Sequence, residues 1–136
     1  MRAEIIYNIK KAGYKLDLYG SQTRPVENKF EVFNNYTYSI CVENSVADGY
    51  ITEKLFDGYY SETIPIYFGG NLNTWINEKA LYKLGDSSCI EDEINLIASK
   101  SIEAYQSEQL ISMREYEAFK QERINELSRL LDNNFG

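Results

Sequence analysis

Two short stretches carry the residue types that do chemistry: Glu43-Asn44, and Thr52-Glu53-Lys54 nine residues later. The sequence has no histidine, which removes the commonest general base and transition-metal ligand, so any catalysis runs on carboxylates, lysine, arginine or tyrosine. Thr52 is suited to be a helix N-cap, and Lys54 would then stand in the first turn. There the backbone dipole is already positive and opposes the ammonium by a few tenths of a kcal/mol, roughly, unless an anion sits against both. A helix N-terminus with unpaired N–H groups and a nearby cation is a phosphate site. Spacing alone leaves other readings open: Lys54 as a solvated surface lysine with Glu53 the usual first-turn acid, Glu43 and Asn44 as polar residues closing a strand, and Tyr50 as a core side chain. Gly69-Gly70 either admits a ligand or turns the chain.

Composition narrows the partners. Fourteen basic and 21 acidic side chains give a net charge of −7 with no basic run, which argues against nucleic acid. No apolar run reaches the ~20 residues of a membrane span, and nothing at the N-terminus has the pattern of a signal peptide. Cys41 and Cys89 lack metal-ligand spacing and read as buried or indifferent thiols. P-loop and dinucleotide glycine motifs are missing, as is an Asp-x-Asp pair, so no metal is expected.

The elements that must position these residues alternate. RAEIIYNIKKA, 2–12, reads as a helix with Ile5, Ile6 and Ile9 on one face, ended by Gly13. KLDLYG, 15–20, reads as a strand, followed by a loop that holds Arg24. Strands are expected at 37–43 and 63–70, a helix at 52–60, a turn or short helix near Trp75 and a possible strand at 80–84. From about 91 to 131 the pattern is helical, with Ile94, Ile97, Leu110, Met113, Tyr116, Ile124, Leu127 and Leu131 spaced as a core-facing stripe. Helix-strand alternation of this kind predicts one 136-residue α/β domain: an open, mostly parallel sheet with helices on both faces and a helical C-terminal third. Ligands of such sheets bind beyond the carboxyl ends of the strands, where CVEN, 41–44, and YFGG, 67–70, meet the start of the Thr-Glu-Lys helix. The first helix has no strand ahead of it to complete its unit, which predicts that the chain is part of something longer.

YSICVENSVADGYITEKLFDGYYSETIPIYFGG, residues 38–70, resembles the signature region of the α-1,3/4-fucosyltransferases, glycosyltransferase family 10. In that family Phe-Glu-Asn-Ser is followed by a short gap, Tyr-Ile/Val-Thr-Glu-Lys, a helix, and an Ile/Val-Pro-Ile/Val strand ending in glycine. Val42 departs from the usual phenylalanine. Arg2 and LDLYG, 16–20, extend the resemblance weakly toward the N-terminus. The resemblance implies the Rossmann-like, GDP-fucose-binding half of a two-domain, metal-independent enzyme of the GT-B type, with GDP-fucose as donor substrate and no cofactor. Lys54 and Arg2 would hold the diphosphate, Glu53 and Tyr50 would lie near the fucose and ribose, and Asn44 would help fix the nucleotide. Glu43 and Thr52 complete the implied donor site, and Glu53 and Lys54 are its implied catalytic pair. The implied reaction is an inverting transfer to a glycan hydroxyl, with the general base and acceptor site on an absent N-terminal domain. The isolated chain is therefore expected to transfer fucose poorly or not at all. A cytoplasmic, bacterial setting is expected, soluble or peripherally membrane-associated. The competing expectations are a non-catalytic nucleotide-sugar or glycan-binding module of the same fold, and a response-regulator-like domain, which would need an acidic cluster that the chain lacks.

Overall fold

In the computed structural model, which describes residues 2–20, 23–72, 76–85 and 90–135, the sheet is parallel throughout and has the order β1-β2-β3. β1 is Tyr38–Val42, β2 is Ile64–Phe68 and β3 is the two-residue Tyr82–Lys83. Parallel strands need crossovers. β1 reaches β2 through α3, Glu53–Tyr60, and β2 reaches β3 past a 3-10 turn at Glu78–Ala80. Upstream lie α1, Arg2–Lys11, and α2, Lys29–Phe33, and downstream α4, Ile90–Ala98, and α5, Ile102–Phe135. Pro65 is tolerated in the central strand because β3 begins one register position later, opposite Ile66, so no ladder donor is missed.

Helices cover both faces, because side chains alternate across a strand. Ile40, Val42, Ile66 and Leu84 meet Ile5 and Ile9 of α1 and Ile94 and Ile97 of α4. On the other face Cys41, Tyr67 and Leu81 meet Leu55 and Tyr59 of α3 and Met113 of α5. Ile5, Leu55 and Tyr67 are fully buried.

The helix at 2–12 and the strands at 37–43 and 63–70 are found within two residues of their expected bounds, and the 80–84 strand shrinks to β3. The expected turn near Trp75 lies outside the described residues. Two expectations fail. Residues 15–20 form no strand: they join no described sheet, and Leu16 packs against the same core as Ile40. The C-terminal stripe is only partly core: Ile94 and Ile97 are buried, but Leu110, Ile124, Leu127 and Leu131 are exposed. The reason lies in α5, which at 34 residues is about 50 Å long and outruns the body it packs on. It docks through Gln109 Nε2 to Thr63 O (2.6 Å), Asn77 Nδ2 to Glu108 Oε2 (2.6 Å) and a Phe56–Tyr116 ring stack at 4.1 Å. Residues 121–133 are exposed.

Candidate active site

Period-2 alternation puts Glu43 on the same side of β1 as Cys41, facing the start of α3. There it is buried to 1% exposure. A buried carboxyl group must find donors, and this one is met by Thr52 N (2.9 Å), by the Thr52 hydroxyl (2.8 Å to Oε2) and by Lys54 Nζ at 3.5 Å. The Thr52 hydroxyl in turn accepts from Lys54 Nζ at 3.0 Å. Glu43 thus ties the end of β1 to the first turn of α3. Thr52 stands at the N-cap position with extended backbone, but its side chain makes no capping bond, because Glu43 has engaged it.

The Thr52 amide and hydroxyl and the Glu43 carboxylate are bound to one another. Glu43 also meets Lys54, whose ammonium has three protons and two near acceptors in Thr52 and Glu43. Lys54 keeps 29% of its side chain exposed and lines a cavity of about 410 Å³ that Arg2 also lines. Glu53 is close behind, its Oε1 4.0 Å from the Lys54 ammonium and its side chain 65% exposed.

Arg2 arrives from α1. Its Nη2 donates to Val42 O (3.1 Å) and to Asn44 Oδ1 (2.9 Å), which places the guanidinium at the carboxyl end of β1. A guanidinium has five N–H donors, so a face remains for an anion. The structure therefore brings together Arg2, Asn44, Glu53 and Lys54 around the Glu43–Thr52 clasp. Tyr50 is exposed in the loop that follows, at 41%, rather than in the core, and its carbonyl accepts from Tyr67 OH at 3.3 Å. Burial, with the charge of Glu43 adding, pushes the Tyr67 phenol up to about 12.

The glycine pair turns out to hold this loop. A methyl group on Gly70 would collide with the carbonyl of Ala47, and one on Gly69 with the Tyr67 ring, so the loop 45–52 lies flat on the end of β2. Asn71 N then donates to Asp48 Oδ1 (3.1 Å), and Gly49 N donates to Asn71 O (2.8 Å). Sequence reasoning missed Asp48, Asn71 and Lys83, whose Nζ donates to Asn71 Oδ1 at 3.1 Å. The Asp48-Gly49 dipeptide is a turn signal and was the available clue. Cys41 is a free, buried thiol pushed up to about 12, mainly by burial, and Cys89 lies outside the described residues. Among the described residues, no group of three or more His, Cys, Asp or Glu is placed to hold a metal ion. No helix among them is long and apolar enough to cross a membrane.

The chain presents a Rossmann-like parallel sheet with basic side chains gathered at a strand's carboxyl end, and comparison gives it a family. The model of glycosyltransferase family 10 (fucosyltransferase), C-terminal part, matches residues 1–90, and the chain belongs to that family. It is 37% identical over 73 residues to alpha-(1,3)-fucosyltransferase FucT of Helicobacter pylori, covering 53% of this chain and 15% of that protein. It is 35% identical over 75 residues to alpha-(1,3)-fucosyltransferase C of Drosophila melanogaster, covering 51% and 18%. Among solved structures it is similar to an alpha1,3-fucosyltransferase with GDP (TM-score 0.52, 33% identity, 62% of this chain and 26% of that one). The same enzyme type with GDP-fucose gives a TM-score of 0.51 at 32% identity, with the same coverage. The chain thus spans under a fifth of those curated relatives and about a quarter of those solved chains.

Proposed function

We propose that this chain binds GDP-fucose as the donor domain of an inverting, metal-independent fucosyltransferase that acts on a glycan hydroxyl. The observation that carries the reading is the convergence of Arg2 and Lys54, 52 positions apart, on one cavity that runs along β1. Relatives solved with GDP and with GDP-fucose support the choice of ligand.

In this reading the diphosphate lies between the Arg2 guanidinium and the Lys54 ammonium. Negative charge grows on GDP as the bond to the anomeric carbon breaks, and two preplaced cations stabilise it without reorganising. The Glu43–Thr52 clasp keeps Lys54 in place for that step, so these two residues act as positioning groups. Asn44, held by Arg2, fixes the nucleotide, and the exposed side chains of Glu53 and Tyr50 face the fucose and ribose. The acceptor hydroxyl attacks from the opposite side after losing its proton to a carboxylate of a separate acceptor domain. The isolated chain consequently binds donor but turns over poorly. The setting is bacterial and cytoplasmic in this reading, and the Helicobacter pylori relative supports the bacterial part.

The test is thermal unfolding with GDP, GDP-fucose, GDP-mannose and ADP. A ligand bound only by the folded state stabilises by RT ln(1 + [L]/Kd), about 2.7 kcal/mol at a hundredfold excess over Kd. Stabilisation by the guanine nucleotides that vanishes in Lys54→Ala is expected. Equal shifts with ADP, or none with any of the four, would overturn the reading.

A further inference from the structure

The loop between Glu43 and Thr52 is fastened at both ends and again in its middle. At the ends, Glu43 N donates to Phe68 O (2.9 Å) and Thr52 N donates to Glu43 Oε1 (2.9 Å). The middle is tied to a segment far away in sequence, the turn that leaves β2. Gly49 N donates to Asn71 O at 2.8 Å and Asn71 N donates to Asp48 Oδ1 at 3.1 Å, a reciprocal pair that closes a ring between the two segments. Gly49 takes φ +72°, a left-handed conformation that costs glycine little, and Gly70 lies against the Ala47 carbonyl with no room for a side chain.

The third strand enters the same arrangement. Lys83 stands opposite Tyr67 in the parallel ladder, so both project from one face of the sheet, and Leu84 N donates to Tyr67 O at 2.8 Å to hold that register. The Lys83 ammonium then donates to Asn71 Oδ1 at 3.1 Å. Asn71 is thus held by β3 through its side chain and holds the loop through its backbone. A two-residue strand adds little to a sheet, but this one delivers a cation to the turn that grips the loop.

One side chain on that loop is left free to act. Tyr50 N donates to Ala47 O (3.1 Å) and Tyr50 O accepts from Tyr67 OH (3.3 Å), so the backbone is pinned on both sides while the residue stays 41% exposed. Exposed hydrogen bonds of this kind are weak singly, and here several act on one short loop. An aromatic ring on a fixed backbone has only two side-chain torsions to lose when it meets a ligand. A loop ordered beforehand is spared the entropy of ordering at that moment.

We infer that Asp48, Asn71 and Lys83 are positioning residues for the candidate site. They form a strap that runs from β3 across the turn after β2 to the loop, and the strap holds Tyr50 where it meets the sugar nucleotide. Lys83 therefore acts, through Asn71, on a site at the end of a strand two places away in the sheet. The choice of ligand rests on the GDP-fucose reading; the strap rests on its hydrogen bonds alone.

Two measurements on the full chain test the two parts separately. Amide hydrogen exchange without nucleotide follows the strap, with the Ile64 amide, bonded to Thr37 O, as the gauge of global folding. Calorimetric titration with GDP-fucose follows the site. In Asp48→Ala the Gly49 and Tyr50 amides are expected to exchange at least about tenfold faster with Ile64 unchanged, and the Kd to rise at least about fivefold. Asp48→Asn keeps the Oδ1 acceptor and should restore both, a rescue that a general loss of stability does not show. Lys83→Met, of similar length but without the donor, should move both in the same direction by at least about twofold. Unchanged exchange in Asp48→Ala overturns the strap, as does Asp48→Asn behaving like Asp48→Ala. Faster exchange with an unchanged Kd overturns the positioning role. A wild-type chain that binds no GDP-fucose overturns the nucleotide reading and the positioning role with it, and the amides then decide the strap on their own.

Discussion

On the α3 side of the sheet, Cys41, Tyr67 and Leu81 are closed over by Leu55, Tyr59 and Met113, whereas on the α1 side a cavity of about 410 Å³, partly open to solvent, lies among the side chains of α1, β1 and residues 14–19. Both regions draw on the same apolar residue types, and they differ in what they do. The packed side fixes the backbone around Glu43, and through that acid it fixes the Thr52–Lys54 turn. The unpacked side is where the fixed cations point. Rigidity and vacancy are supplied by separate parts of the molecule, so each can be broken without the other.

Substitutions that remove the same number of atoms from the two regions should therefore differ. Leu55→Ala, at a fully buried site, is expected to cost about 2–5 kcal/mol in chemical denaturation, while Ile6→Ala, on the cavity wall, should cost about 1 kcal/mol or less. Equal losses would erase the distinction drawn here. Glu43→Gln comes next, at about 1–3 kcal/mol, because its new NH2 group opposes the donors of Thr52 and Lys54. A loss within 0.5 kcal/mol, roughly the scatter of neutral surface changes, would show that the clasp does not hold the loop.

The packed side also has a signature in alkali. The Cys41 thiol, pushed up from 9.0 to about 12 chiefly by burial, holds its proton more tightly when folded than when unfolded. Its contribution is complete below pH about 9 and is lost as the pH climbs toward about 12, at up to about 1.4 kcal/mol per pH unit. Denaturation midpoints of Cys41→Ala should fall less steeply over that window. Identical slopes would mean that the thiol is not as enclosed as the packing implies. The smallest effect is expected far from both regions: Leu127→Gln, on the exposed end of α5, should leave stability within about 0.5 kcal/mol.

Much of this was legible in the residues. β1, α3 and β2 follow from β-branched runs broken by Thr52 and the glycine pair, and their order gives the parallel sheet. What failed shares one cause, the lack of a neighbour that local pattern does not reveal. KLDLYG has strand periodicity but pairs with no strand among the described residues, and Leu127 and Leu131 have helical spacing but stay exposed. Glu43 was named as a site residue, yet its burial was not read, although its sharing a strand face with Cys41 already turned it inward. Arg2 and Lys54 were joined through the family resemblance; spacing across 52 positions does not bring them together.

The central claim is that those two cations grip the phosphates of the nucleotide. Phosphorus-31 NMR of GDP titrated with the full chain addresses it directly. The account predicts that both phosphate resonances shift on binding, with the β-phosphate moving most, and that Arg2→Ala and Lys54→Ala each weaken the titration at least tenfold while the fold, followed by circular dichroism, is kept. Undiminished phosphate shifts in the folded Lys54→Ala chain would contradict it.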